Sequence, residues 1–127
     1  MRHVSGYIDG IPITINVPET LTEHREGAKA NKGELKFNEG YLFDFGKPMT
    51  ILTSNSNIKH DLAIIYFDSL NKSGIVTEVA YINKNCNTNI SSIGFYLVAL
   101  EVREDFVVAN NIKSGSILIL NEALKNE

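Results

Sequence analysis

Residues 112–117 read Ile-Lys-Ser-Gly-Ser-Ile, and they follow a stretch with helical character, Arg103 to Asn110. Gly115 can adopt the positive φ of a tight turn, a conformation that a Cβ disfavours. Ser116 to Leu120 then reads as a strand. A helical turn, a glycine turn and a final strand describe how a small β domain closes its sheet. Ile112 and Ile117 are expected to pin the two sides of this turn to a core.

The rest of the chain supports a β architecture. Val4–Ile8, Asp9-Gly10 and Ile11–Val17 read as a hairpin, because Asp-Gly suits the type I′ turn, whose two central residues need positive φ. Ile11, Ile13, Ile15 and Val17 alternate with Pro12, Thr14 and Asn16, the period-2 pattern of a half-buried strand. Pro12 has no N–H, so that strand is expected at an edge or with position 12 turned to solvent. Thr20-Leu21-Thr22-Glu23 has the form of a capping box opening a helix that runs to about Ala30. Further strands are expected at Gly40–Phe45, broken by Gly46-Lys47-Pro48, and at Met49–Leu52, Leu62–Phe67, Ile75–Ile82 and Phe95–Val102. Two polar loops separate them, Thr53 to His60 and Asn83 to Ser92. The pattern predicts a mainly β (α+β) domain over residues 1–120. Seven or eight strands form one curled, barrel-like sheet, with a helix after the second strand and a helical turn before the last. Residues 121–127 are expected to fray, and Gly40 and Gly115 are expected as turn residues.

Composition narrows the function. A chain of 127 residues, 43% hydrophobic and 21% charged, has the make-up of one globular domain. Twelve Lys and Arg are scattered among fifteen Asp and Glu without clustering, which argues against a nucleic-acid partner. Met1 to Gly6 contains no apolar h-region, so no signal peptide is expected. The longest apolar runs, Leu62 to Phe67 and Phe95 to Leu100, are far short of a membrane helix. The single Cys86 allows no internal disulfide and no paired-thiol motif. These features together predict a cytoplasmic location, with no membrane association and no cofactor. The richness in Ile, Asn and Lys fits an AT-rich genome, as in low-GC bacteria and their phages.

Motifs for chemistry are sparse. His3, His24 and His60 stand in none of the metal-ligand spacings, so no metal site is expected. No phosphate loop, Gly-x-Ser-x-Gly elbow or Ser-x-x-Lys pair occurs. Asp44 and Asp68 at strand ends, with His60, are the most that a hydrolase could draw on, and strand-end Asp residues usually form turns. Cys86 has no His in its loop, and with Lys84 as the one cation there it is read as an unreactive spacer. Aromatic side chains supply the remaining surface. Alternation predicts Phe43, Phe45 and Phe67 inside and Tyr66 partly exposed.

Read in order, the blocks resemble a prokaryotic family known as domain of unknown function 192. Thr20, Glu23 and Gly27 match its Thr-x-x-Glu-(4)-Gly, and Gly40, Leu42, Phe43 and Phe45 its Gly-x-Leu-Phe-x-Phe. Leu62, Ile64, Ile65 and Asp68 match a hydrophobic strand ending in Asp. Leu100, Glu101, Ile112, Lys113 and Gly115 match Leu-Glu followed by Ile-Lys-x-Gly. The resemblance spans Ile13 to Ile119 and implies the fold, not an activity. Where the family carries Phe-Trp-Met-Lys-Asn-Thr and then Pro-Leu-Asp, this chain has Thr53-Ser54-Asn55-Ser56-Asn57-Ile58 and Asp61-Leu62-Ala63. Asp105 replaces a second glycine. The resemblance implies that a function residing in the Trp-Met patch is lost here.

The resulting expectation is a non-enzymatic domain that binds a protein partner or a small ligand. Asn55, Asn57, His60, Tyr66, Asn85 and Asn87 are the candidate contacts, because loops on a rigid scaffold usually carry function. An alternative is a virion or assembly protein, a capsid-associated or decoration protein of a phage. Its adherent edge would be the Pro12-bearing hairpin or the strand Ser116–Leu120. A hydrolase is the third reading. Composition says nothing of oligomeric state.

Overall fold

A computed structural model describes residues 1–20, 22–23, 35–49, 52–54, 61–82, 89–91, 94 and 96–125. Seven strands close into a barrel in the order β1-β2-β3-β8-β5-β6-β9. They are β1 (Arg2–Ile8), β2 (Ile11–Val17), β3 (Glu39–Met49), β5 (Leu62–Phe67), β6 (Ser73–Ile82), β8 (Tyr96–Arg103) and β9 (Ile117–Leu120). Two further strands, β4 (Leu52–Ser54) and β7 (Asn89–Ser91), pair only with each other, and helix α1 (Glu104–Ala109) precedes β9. The mainly β barrel read from the sequence is the fold observed.

The turns carry the signals that located them. Asp9 (φ +50) and Gly10 (φ +81) form the two-residue link of the β1–β2 hairpin, with Ile8 opposite Ile11. Gly115 has φ +97, and the Ser116 N–H donates to the Lys113 carbonyl at 2.9 Å. That places Gly115 third in a tight turn, where a type II geometry requires positive φ. Asn111 (φ +53) ends α1 in the left-handed conformation that Asn tolerates, and the Ile112 N–H donates back to the Val107 carbonyl at 3.0 Å. Thr20 and Glu23 close the capping box. The Glu23 N–H donates to Thr20 Oγ1 at 3.0 Å, and Glu23 Oε1 accepts from the Glu19 and Thr20 N–H groups at 2.9 and 3.3 Å. Thr22 and Glu23 are helical, and the rest of that expected helix lies outside the described residues.

Inside the barrel, alternate residues make one apolar core. Val4, Ile8, Ile13, Ile15, Leu42, Ile65, Phe67, Leu100, Val102, Leu118 and Leu120 belong to it, with Phe106 and Val107 of α1 closing one end. Such a core supplies the main driving force for folding.

Several local expectations are corrected. β2 has neighbours on both sides, but its pairing with β3 covers only Thr14 to Asn16, so Pro12 leaves no ladder bond unmade there. β9 pairs with β1 and β6 and offers no adherent edge, while β2 is left open on its β3 side over Ile11 to Ile13. β3 continues through Gly46-Lys47-Pro48 at the cost of a register irregularity between Asp44 and Met49. Gly40 is not a turn residue. It lies within β3 opposite Ile15, and a Cβ there would come within 2.7 Å of Leu100 Cδ1, so it is the core's shape that demands glycine. Ile112 is buried as expected, while Ile117 is half exposed, because in β9 the even residues face the core. Residues 121–125 are tied down where fraying was expected. Arg2 donates to the carbonyls of Ala123 and Leu124, each at 2.6 Å, the Lys125 N–H donates to Asn71 Oδ1 at 2.7 Å, and Leu124 is buried.

Two glycines test this geometry. Gly115→Ala should destabilise by roughly 1 kcal/mol, a positive-φ cost, with Lys113→Ala below about 0.5 kcal/mol. Gly6→Ala should cost more than either, because its Cβ would collide with the Ile119 backbone carbonyl across the β1–β9 pair. Urea denaturation of the three variants checks the order, and equal effects at 113 and 115 would mean that the turn is not as described.

Candidate functional site

A second hydrophobic cluster lies on the outer face of the barrel, across β3, β8, β5 and β6. Its existence follows from β5, whose six residues Leu62-Ala63-Ile64-Ile65-Tyr66-Phe67 are all buried. Ala63, Ile65 and Phe67 fill the barrel; Leu62, Ile64 and Tyr66 point the other way into the second cluster, with Leu35, Ile82, Tyr96 and Ala99. A strand buried on both faces reads as a continuous apolar run, which is how β5 looks in the sequence.

Strand register arranges this face in rows, because directly paired residues share a face. One row runs Phe43, Ala99, Tyr66, Glu78. The next runs Tyr41, Glu101, Ile64, Ala80. Ala99 thus separates two aromatic rings with a single methyl group. Tyr96 stacks on Tyr66, centroids 5.0 Å apart and planes 25° from parallel. Tyr41 packs on Phe43 at 5.4 Å.

Polar atoms are set into this apolar face. Tyr96 Oη donates to Glu78 Oε1 at 2.8 Å, and the Gly94 N–H reaches the same oxygen at 3.3 Å. Tyr41 Oη donates to the Glu23 carbonyl at 2.8 Å, so the start of the capped helix leans on this wall. Glu101 is only 2% exposed. The Tyr66 hydroxyl stands apart: its residue is fully buried, and Oη makes no hydrogen bond among the described residues. A buried hydroxyl left without a partner typically costs about 1–3 kcal/mol, a cost that this cluster carries. Burial, helped by the nearby Glu78 carboxylate and Tyr96, pushes the Tyr66 phenol up to about 12. Burial also raises Tyr96, aided by its bond to Glu78, and raises Tyr41, aided by Glu23 and Glu101.

Tyr66 was expected to be partly exposed as a contact; it is instead a buried centre of this cluster. Phe67 is inside as expected, whereas Phe43 packs, partly buried, on the outer cluster; the Phe45 side chain lies outside the described residues. Asn55, Asn57, His60, Asn85, Asn87 and Cys86 also lie outside the described residues. The ends of their loops are nevertheless placed. Ser54 pairs with Asn89 and Leu62 pairs with Ile82, so segments 55–60 and 83–88 start and finish at the same two paired positions. Parts of both expected loops are strand, because 52–54 and 89–91 pair as β4 and β7. Of the three residues a hydrolase could draw on, His60 lies outside the described residues, Asp44 pairs with Lys125 Nζ at 2.8 Å, and Asp68 is exposed. No group of three or more potential metal ligands occurs among the described residues. No described helix is long and apolar enough to cross a membrane. Sequence reasoning missed Glu78, Tyr96 and the shared role of Glu101; the unbroken apolar run of β5 was the signal that its outer face is covered.

A closed barrel with a buried outer cluster over residues 5–120 defines a class that sequence comparison identifies. The chain belongs to the DUF192 family, described as "Uncharacterized ACR", whose profile matches residues 5–120. Two solved structures share the fold. A candidate transcription regulator from Sinorhizobium meliloti 1021 superposes with a TM-score of 0.69 at 15% identity, covering 93% of this chain and 92% of that one. A protein of unknown function from Novosphingobium aromaticivorans DSM 12444 gives 0.67 at 20% identity, covering 91% and 82%. No curated protein matches the chain.

The Tyr66 phenol predicts a pH dependence. Its proton is held more tightly folded (about 12) than at the ordinary value of 10.0. The folded state therefore binds more protons between those values, and stability should fall as pH rises through that window. Below pH 10 this contribution is intact. Phenolate absorbance followed with circular dichroism should show late-ionising tyrosines, one fewer in Tyr66→Phe, and that variant should flatten the stability loss.

Proposed function

We propose that the chain is a non-enzymatic binding domain whose ligand sits against the outer wall of β3-β8-β5-β6, at the Tyr66–Tyr96–Glu78 corner. The observation that carries this reading is the Tyr66 hydroxyl, buried and without a hydrogen-bond partner among the described residues. Aromatic area with a few placed polar groups is the usual make-up of a ligand site. Tyr66 supplies a donor and an acceptor, and Ala99 leaves a small side chain between the Phe43 and Tyr66 rings. The loops 55–60 and 83–88, anchored together at both ends, supply the polar contacts Asn55, Asn57, His60, Asn85 and Asn87 in this reading. A small ligand or a short segment of a protein partner fits these terms. With this reading goes a cytoplasmic location, supported by the lone cysteine.

A fragment screen read by amide chemical shifts tests the placement. Bound fragments should move the amides of Tyr66, Gly94, Tyr96 and Ala99. Tyr66→Phe should weaken those fragments at least fivefold while leaving the melting temperature unchanged or higher, since it deletes a hydroxyl that has no partner. Fragments that bind elsewhere, or a Tyr66→Phe variant that melts markedly earlier, would contradict the proposal.

A further inference from the structure

The two ends of the barrel are closed differently. At the end where β5 begins, Phe106 and Val107 of α1 cover the core, and the Glu104 N–H donates to the Asp61 carbonyl at 2.9 Å. At the end where β5 finishes, the cover is segment 121–125, which leaves β9 and crosses to the β5–β6 connection and to β3. Asp44, Val98 and Phe67 form a row at this end, and Val98 and Phe67 belong to the barrel core.

This segment is not a strand of the sheet. Leu124 is its one buried side chain, 9% exposed and part of the core cluster, while Asn121, Glu122 and Lys125 are exposed. Most of what else fixes it reads its main chain. The Arg2 guanidinium donates through its two terminal nitrogens to the Ala123 and Leu124 carbonyls, each at 2.6 Å. Asn71 holds the next groups. Its carbonyl accepts from the Leu124 N–H at 2.9 Å, its Oδ1 from the Lys125 N–H at 2.7 Å, and its Nδ2 donates to the Lys125 carbonyl at 3.4 Å. Two ion pairs flank the anchor, Glu122 with Arg2 at 3.5 Å and Lys125 Nζ with Asp44 at 2.8 Å.

Main-chain hydrogen bonds around an apolar anchor are a recurring way for folded domains to hold extended peptides. Here the peptide is the chain's own. We propose that residues 121–125 are a releasable strap, and that the seat formed by Arg2, Asn71 and Asp44 around Leu124 accepts a partner segment of the same chemistry in its place. That segment is extended, with a leucine anchor, a carboxylate two residues before it and a cation directly after it. The seated strap itself shows what the seat takes. A segment with one buried side chain, fastened by groups at the surface, opens locally before the strands of the barrel do. Because it is joined to the chain, the strap acts at an effective concentration on the order of millimolar, so a partner takes the seat only by binding more tightly.

Amide hydrogen exchange on the full chain tests the release. The Leu124 and Lys125 amides should exchange at least about tenfold faster than that of Val76, which donates to the Ser116 carbonyl. Exchange at one common rate overturns the proposal, because strap and barrel would then open together. The seat is tested with a peptide of residues 121–125, capped at both ends, titrated into the full-length Leu124→Ser variant. The Ser5, Asn71 and Lys72 amides should shift and saturate. The peptide carrying Leu124→Ser should bind at least about fivefold more weakly, and Arg2→Ala in the same variant should abolish binding. The wild type, whose strap competes, should need about tenfold more peptide. Leu124→Ala serves if amide spectra show Leu124→Ser to be unfolded. Absence of saturable shifts, equal binding of the two peptides, or binding that survives Arg2→Ala overturns the proposal. None of these outcomes bears on ligand binding at Tyr66, which lies on the outer wall.

Discussion

The hydrogen bonds that lock β9 between β1 and β6 are what the rest of the structure depends on. Asp9 is central to them. Its N–H donates to the Ile117 carbonyl at 2.9 Å, and its Oδ1 accepts from the Ile117 N–H at 2.8 Å. Those bonds to the Ile117 backbone and Ser116 hold the Asp9 carboxyl below its ordinary value. On the β6 side, the Gly115 N–H donates to the Val76 carbonyl and the Val76 N–H to the Ser116 carbonyl, each at 2.8 Å. The first hairpin turn of the chain is thereby fastened to its last turn. An open sheet would expose two unpaired edges and half of its core, whereas this join leaves every barrel strand with two neighbours.

Closure also decides where polar chemistry can be placed. A seven-stranded barrel of this kind fills its interior with side chains, and the inward residues here are almost all aliphatic. Polar side chains therefore have to be placed outside, on strands whose outward residues are also buried. β5 and β8 are such strands. Val98, Leu100 and Val102 of β8 face in, and Ala99 and Glu101 lie on the outer rows. One strand thus serves two environments through alternation alone. The inner one holds the fold, and the outer one holds the Glu101 carboxylate beside tyrosines, two of which, Tyr41 and Tyr96, are hydrogen-bonded.

Much of the fold was legible because its signals are local. Asp9-Gly10, Thr20-x-x-Glu23 and Gly115 each act within four residues, and each stands as its residue types dictate. What depended on a neighbour several strands away was not legible. Gly40 looks like a turn residue until Leu100 is seen beside it, and Gly6 gives no signal until Ile119 crosses it. The tail looked free because the carbonyls that Arg2 reaches lie more than 120 residues away in sequence. The candidate site was legible only in fragments. Tyr66 and Glu101 drew notice for other reasons, but the row that joins Phe43, Ala99, Tyr66 and Glu78 exists only once four strands are in register.

The same division explains how the fold persists at 15–20% identity to the two solved relatives. Inward positions need apolar side chains of roughly the right volume, a requirement that many sequences meet. Turn positions need a backbone conformation that Gly, Asn or Asp can supply. Neither demand constrains the outward rows, so the outer wall can exchange one set of polar and aromatic groups for another while the barrel stays closed. In this chain the segment 53–58 is Thr-Ser-Asn-Ser-Asn-Ile, small and polar, and the aromatic area of the outer wall comes instead from Tyr41, Phe43, Tyr66 and Tyr96 on the strands themselves. Aromatic rings fixed on paired strands lose little conformational freedom when something packs against them, whereas rings on a loop must first be ordered. On this wall the spacing of the rings is therefore set by the register of the rows.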